Sequence, residues 1–195
     1  ISDAFLELYK AGKLTNAHKE LDTGLSAWNL AMGSQELYDW LDAEPQLFHP
    51  GDLDYIHSVE RISKFSNVIS INGGVQLDLM GQENAESTGT RQLSGVGGQM
   101  DFLEGAYRSK GGKGFICINS SRVTKDGERK SNILATIPGG STISAPRTMI
   151  QYVATEYGIA SLSGKTLRER AEAMASIAHP DFREELMKYA QENFK

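Results

Sequence analysis

Val68-Ile69-Ser70-Ile71, Ser94-Gly95-Val96-Gly97-Gly98-Gln99 and Phe115-Ile116-Cys117-Ile118 are the stretches on which the fold turns. The first and last are short, β-branched and mostly apolar, the pattern of buried strands. The glycine-dense loop between them leads into residues 101–109, which suit a helix or helical turn. Outward from this centre, Val75-Gln76-Leu77-Asp78-Leu79 alternates strictly and predicts a half-buried strand. Residues 131–137, stopped by Pro138-Gly139-Gly140, and 149–155 are further strand candidates, and Leu47-Phe48 suits a short one.

Helices flank this middle. Ser2 suits an N-cap, Phe5, Leu8 and Tyr9 recur at helical spacing, and Gly12 stands where a helix stops. Residues 34–41 read as a short helix ended by Pro45. Leu53, Ile56, Val59 and Ile62 mark one face of a helix over 52–63. Thr166 and Glu169 form a capping box, each side chain satisfying a free backbone donor of a first turn, and Leu167, Ala171, Met174 and Ala178 share the face behind it. Pro180 restarts the chain, with Phe182, Leu186, Tyr189 and Ala190 on a second amphipathic helix. The class is α/β, a mixed sheet with flanking helices.

The chain has 195 residues, 39% hydrophobic and 23% charged, which suits one globular domain. A formal charge of −5 argues against a nucleic-acid partner. The single cysteine, Cys117, excludes a disulfide framework and a CxxC metal site. No apolar run approaches the ~20 residues that span a bilayer, and no basic-then-apolar leader is present. The expectation is a soluble, cytoplasmic protein without membrane contact. The chain begins Ile1-Ser2-Asp3, without an initiator Met, which suggests a piece of something longer.

The Gly95-Val96-Gly97-Gly98-Gln99 loop is the sharpest chemical feature. Glycines let a ligand approach backbone amides closely, and amides at the start of a helix point at an anion or oxyanion. A tight strand-to-helix turn without a ligand is the plainer alternative. No Gly-Lys-Ser/Thr follows, so this is not a Walker loop, and no acidic residue completes a dinucleotide fingerprint. Between Arg108 and Lys130, seven basic residues face only Asp126 and Glu128, a net +5 in an acidic chain. That island suits a phosphate-bearing ligand, or else an ordinary solvated hairpin. His18, His49, His57 and His179 lack metal-ligand spacing and read as structural, with no metal expected. Cys117, in an apolar strand, reads as a buried, inert thiol. Ser120-Ser121 lacks the G-x-S-x-G frame of a serine hydrolase. Glu83, Glu86, Asp101, Glu104 and Glu156 are carboxylates free to act, and composition does not choose among them.

Six motifs, in this order and over nearly the whole chain, carry a resemblance. They are Gly81-Gln82-Glu83-Asn84-Ala85-Glu86-Ser87, Leu93 through Phe102, Gly111-Gly112-Lys113, Ala145-Pro146-Arg147, Thr155-Glu156-Tyr157-Gly158-Ile159-Ala160 and Ile177-Ala178-His179-Pro180-Asp181-Phe182-Arg183. Together they resemble the C-terminal domain of the acetyl-CoA hydrolase/transferase family, nearest to 4-hydroxybutyrate and butyryl-CoA:acetate CoA-transferases. The resemblance implies a fold like that of NagB, RpiA and the CoA-transferases, with residues 1–195 as the C-terminal domain. It implies CoA transfer from an acyl-CoA to a small carboxylate such as acetate, butyrate or 4-hydroxybutyrate through a glutamyl-CoA thioester. An acetyl-CoA hydrolase and a non-catalytic CoA-binding module stay open as alternatives. Coenzyme A and acyl-CoA are then substrates, with no permanently bound cofactor.

By position, the resemblance assigns Gly98 to the oxyanion and CoA site and Asn72 to the neighbourhood of the thioester. It assigns Val75, Gly97, Gln99 and Lys125 to CoA contact, with Gly74 and Glu156 supporting the site wall. It places the nucleophilic glutamate immediately before Ile1 and a further CoA loop on an N-terminal domain, so the isolated chain is expected to be inactive. Homo-oligomerisation is a further expectation. Glu83 departs from the pattern, since an apolar residue usually follows the Gly-Gln pair.

Overall fold

The computed structural model describes residues 1–194. The N-terminal third holds α1 (Asp3–Lys10), β1 (Ser26–Trp28), α2 (Gln35–Ala43), β2 (Phe48–Pro50), α3 (Leu53–Ile56) and α4 (Val59–Ser63). Then come β3 (Ile69–Gly73), β4 (Gln76–Asp78), β5 (Glu83–Asn84), β6 (Ser87–Thr88), β7 (Arg91–Gln92), α5 (Gln99–Arg108) and β8 (Lys113–Cys117). The chain closes with β9 (Ser121–Val123), β10 (Arg129–Ser131), β11 (Ile133–Leu134), β12 (Tyr152–Thr155), β13 (Gly158–Ser161), α6 (Leu167–Ser176) and α7 (Pro180–Asn193).

The main sheet runs β13-β12-β8-β3. Strands β12, β8 and β3 are parallel, with Ile71 opposite Phe115 and Phe115 opposite Tyr152, and β13 closes one edge antiparallel. A second sheet, β11-β4-β5, stands beside the end of β3. Helix α5 lies on the main sheet and buries Leu103 and Ala106, while α6 and α7 pack on each other and bring Met174, Ala175 and Leu186 into the same core. A separate cluster of Leu6, Leu37, Trp40 and Phe48 holds the N-terminal helices to β2. Among the described residues no helix is long and apolar enough to cross a membrane.

The caps explain the helix starts. Ser34 accepts from the Leu37 amide and Thr166 and Glu169 close their capping box. The helix expected over 52–63 is two helices, because both Asp52 and Ser58 act as N-caps, accepting from the Tyr55 and Arg61 amides. That break puts His57 in a corner. The strand expected over 131–137 is reduced to β10 and β11, separated at Asn132, whose amide bonds Ser120 O. Residues 76–78 are all buried, so β4 is covered on both faces and not half-buried, while β11 and β5 pair its two edges. Cys117 is exposed, not buried. Period-two alternation turns Ile116 toward α5 and the core and turns Phe115 and Cys117 to the opposite sheet face, where Ile69 and Ile71 are also exposed.

Candidate functional site

Parallel sheets collect function at the carboxyl ends of their strands. Here that edge holds Gly73 at the end of β3 and Gly74 after it, Asn119 and Ser120 after β8, and Glu156 after β12. The chain from β3 to α5 returns to the same edge, so the glycine loop faces it. Gly97 adopts φ +61, the left-handed region a side chain resists, and so turns the chain into α5. Gly98 is the N-cap of α5 and supplies no side-chain cap. The first amides of the helix therefore remain free to bind a ligand.

The loop borders a cleft of about 980 Å³, lined among others by Asn29, Leu30, Asp52, His57, Gly97 and Gly98. His57 packs directly on the loop. A Cβ at Gly98 would overlap the His57 ring at Nδ1 and Cε1, so only glycine fits. The ring is held on three sides: Nε2 lies 3.0 Å from Asn29 Nδ2, Nδ1 lies 3.5 Å from Asp101 Oδ2, and Phe102 meets it edge-on at 5.0 Å. With Nε2 accepting from the Asn29 amide, Nδ1 carries the proton and faces Asp101.

Gln99 and Gly74 meet through Glu83. The Gln99 amide donates to Glu83 Oε2, and a Cβ at Gly74 would stand 2.8 Å from Glu83 Oε1. Asn72 lies on β3 opposite Ile116 and donates to Ser70 Oγ at 2.8 Å. Val75 donates its amide to Asn84 O at 2.9 Å, so this N–H is committed to the fold and not to a ligand. Glu156 accepts from the Ser120 amide at 2.9 Å and from Ser120 Oγ at 2.6 Å, tying the ends of β8 and β12 together. Partial burial raises the Glu156 carboxyl, but these bonds and the nearby His179 hold it below the usual range.

The basic island divides in space. Arg108 ends α5, where it pairs with Glu104, and Lys113 begins β8, whereas Arg122, Lys125 and Arg129 belong to the β9–β10 hairpin beyond the far end of that strand. Only the hairpin half shares the sheet edge with the glycine loop. Lys125 sits in its turn, exposed, and no hydrogen bond or ion pair joins it to residues 95–99. Of the histidines, His49 pairs with Asp22, and His179 caps α7 by accepting from the Asp181 amide at 3.3 Å. His57 alone of the three lines the cleft. Its partners Asn29 and Asp101 are distant in sequence, so no local spacing signals it.

A profile described as the acetyl-CoA hydrolase/transferase C-terminal domain matches residues 33–190. The chain belongs to this family. It is 44% identical over 97% of its length to a butyryl-CoA:acetate CoA-transferase from Anaerostipes caccae, spanning 42% of that protein. It is also 44% identical, over its full length, to a 4-hydroxybutyrate coenzyme A transferase from Clostridium kluyveri, spanning 44% of it. The crystal structure of a 4-hydroxybutyrate CoA-transferase from Porphyromonas gingivalis matches the whole chain with TM-score 0.81 at 35% identity and 44% coverage of the other chain. The chain thus spans less than half the length of these relatives, and its fold is the CoA-transferase fold.

Proposed function

We propose that this chain is the amide-donating wall of a CoA-transferase that moves CoA between an acyl-CoA and a short-chain carboxylate. In this reading a glutamate carboxylate attacks the thioester carbonyl, the carbonyl oxygen becomes a tetrahedral oxyanion, and CoA thiolate leaves an acyl-glutamyl anhydride. The thiolate then attacks the glutamyl carbonyl and expels the acyl carboxylate, leaving a glutamyl-CoA thioester. The acceptor acid reverses both steps. A carboxylate is a weak nucleophile, so each tetrahedral stage needs positioning and donors already in place.

One observation carries the reading. Gly97 and Gly98 line the same cleft as Leu30, and Leu30 O accepts from Ile1 N at 2.6 Å. A residue preceding Ile1 would therefore enter beside the loop, which is where the resemblance puts the attacking glutamate. Gly98 supplies the oxyanion donor, with Gly97 and Gln99 shaping its approach. Lys125 and its hairpin neighbours offer cations for the phosphates of CoA. Asn72, Gly74, Val75 and Glu156 build the wall and keep the strand ends in register.

The test uses the natural protein that carries this chain, butyryl-CoA and isotopically labelled acetate. Labelled acetyl-CoA with stoichiometric butyrate supports transfer. Free CoA released at the same rate with or without acetate would replace this reading by hydrolysis.

A further inference from the structure

Glu83 is fully buried, yet the chemistry above does not use it. Backbone bonds fix it on both sides: its amide donates to Ala145 O at 3.0 Å, and its carbonyl accepts from Ser144 N at 2.8 Å. The side chain spans the gap between the end of β3 and the start of α5. Oε2 accepts from the Gln99 amide, and Oε1 has no partner. Gly74 closes over Oε1 so tightly that an added Cβ would stand 2.8 Å from it, 2.9 Å from Ile118 Cγ2 and 3.1 Å from Ile116 Cγ2.

No charged group faces this carboxyl among the described residues. Gly74 comes from the strand end, Ile116 and Ile118 from β8 and its extension, Leu77 from β4, Ala145 from the facing segment and the neutral Gln99 amide from α5. Of the carboxylates nearby in sequence, Asp101 faces His57, Asp78 accepts from Gln82, and Glu86 is buried with one oxygen unpartnered. An ionised carboxylate with one oxygen unpaired in such a pocket is costly, and a neutral one is not. Burial accordingly pushes Glu83 up to about 8, with the Gln99 bond only partly offsetting it.

We propose that Glu83 is a positioning residue, a buried carboxyl clamp joining Gln99 in the first turn of α5 to the Gly73–Gly74 end of β3, and that its protonation state sets how firmly the Gly97–Gly98 amides are held. The neutral acid keeps the helix start docked on the strand end. Ionisation puts an unpaired charge beneath Gly74, and the pocket relieves it by admitting water between the strand end and the helix start, while the Gln99 bond stays with the charged oxygen. The clamp stands on the geometry alone. Its consequence for turnover rests on the proposed role of the loop.

Wild-type protein tests the clamp without any variant. Nuclear magnetic resonance of the 195-residue chain, with carbon-labelled Glu and nitrogen-labelled Gly and Gln, follows three signals between about pH 6 and 10. The expected result is one shared midpoint, far above the usual carboxylate range, for the Glu83 carboxyl, the Gln99 side-chain amide and the Gly98 backbone amide. Glu83→Gln flattens the two amide titrations. A Glu83 midpoint in the ordinary range, or amides that titrate identically in Glu83→Gln, overturns the clamp. In the natural protein, Glu83→Gln is expected to lose the alkaline fall in kcat with KM for acyl-CoA unchanged. An alkaline fall that persists while the amide titrations vanish leaves the clamp standing and removes the loop from the chemistry.

Discussion

Gly98→Ala isolates the contact on which the cleft is built. The backbone does not forbid it, because φ −94 at Gly98 is open to alanine. The obstacle is His57, whose Nδ1 and Cε1 occupy the space of the new methyl. The ring must swing away, which gives up the 3.0 Å contact with Asn29, the 3.5 Å approach to Asp101 and the edge contact with Phe102. Overpacking a methyl costs ~1–3 kcal/mol. The lost hydrogen bond adds ~1 kcal/mol, for a total of ~2–4 kcal/mol. Urea denaturation of the chain reads this as a lower midpoint at unchanged slope. His57→Ala vacates the space, so the double variant is expected to recover most of the loss, with a coupling of ~2 kcal/mol in the cycle. Gly98→Ala within ~0.5 kcal/mol of wild type, or strict additivity with His57→Ala, refutes the packing argument.

Three further outcomes are expected. Lys125→Ala weakens CoA binding several-fold by calorimetry, and more at low salt, because an exposed cation acts through a screened field; an unaltered Kd at both salt concentrations removes the hairpin from the site. Glu83, raised from 4.5 to about 8 in the folded state, favours folding fully below the unfolded value and loses that advantage as pH climbs toward 8, by up to about 5 kcal/mol. Glu83→Gln should flatten that dependence, and an equal change in stability between pH 5 and 8 for wild type and variant, read by denaturant titration, would contradict the burial of an unpaired acid. Leu103→Ala, at a side chain only 1% exposed between α5 and the sheet, costs ~2–5 kcal/mol and lowers the thermal midpoint; a loss below ~1 kcal/mol would mean that α5 does not seal the core.

What the sequence makes legible is local. The short helix from 34, the capping box at Thr166–Glu169, the restart at Pro180 and the β-branched run at 68–71 are all readable, because each acts over a few residues. The glycine loop is readable as a candidate site for the same reason: the groups it offers belong to its own backbone. The site wall is not. His57 gains its role from Asn29, Asp101 and Gly98, which only the tertiary fold assembles, and its corner exists because two competing caps break one amphipathic helix. Glu83 reads as one free carboxylate among five until β8 and Gly74 close over it. Cys117 illustrates the converse, since an apolar run identifies a strand but not whether both its faces are covered.

The central claim is that the Gly97–Gly98 amides stabilise oxyanions during thioester exchange. Mass spectrometry of the natural protein after acyl-CoA and borohydride tests it most directly, because borohydride reduces an enzyme thioester to the alcohol. The account predicts a single reduced glutamate in wild type and its loss in Gly98→Pro but not in Gly98→Ala, which displaces His57 in the same way yet keeps the N–H, while CoA still binds to both. An unmodified wild-type protein, or equal reduction in the proline variant, would contradict it.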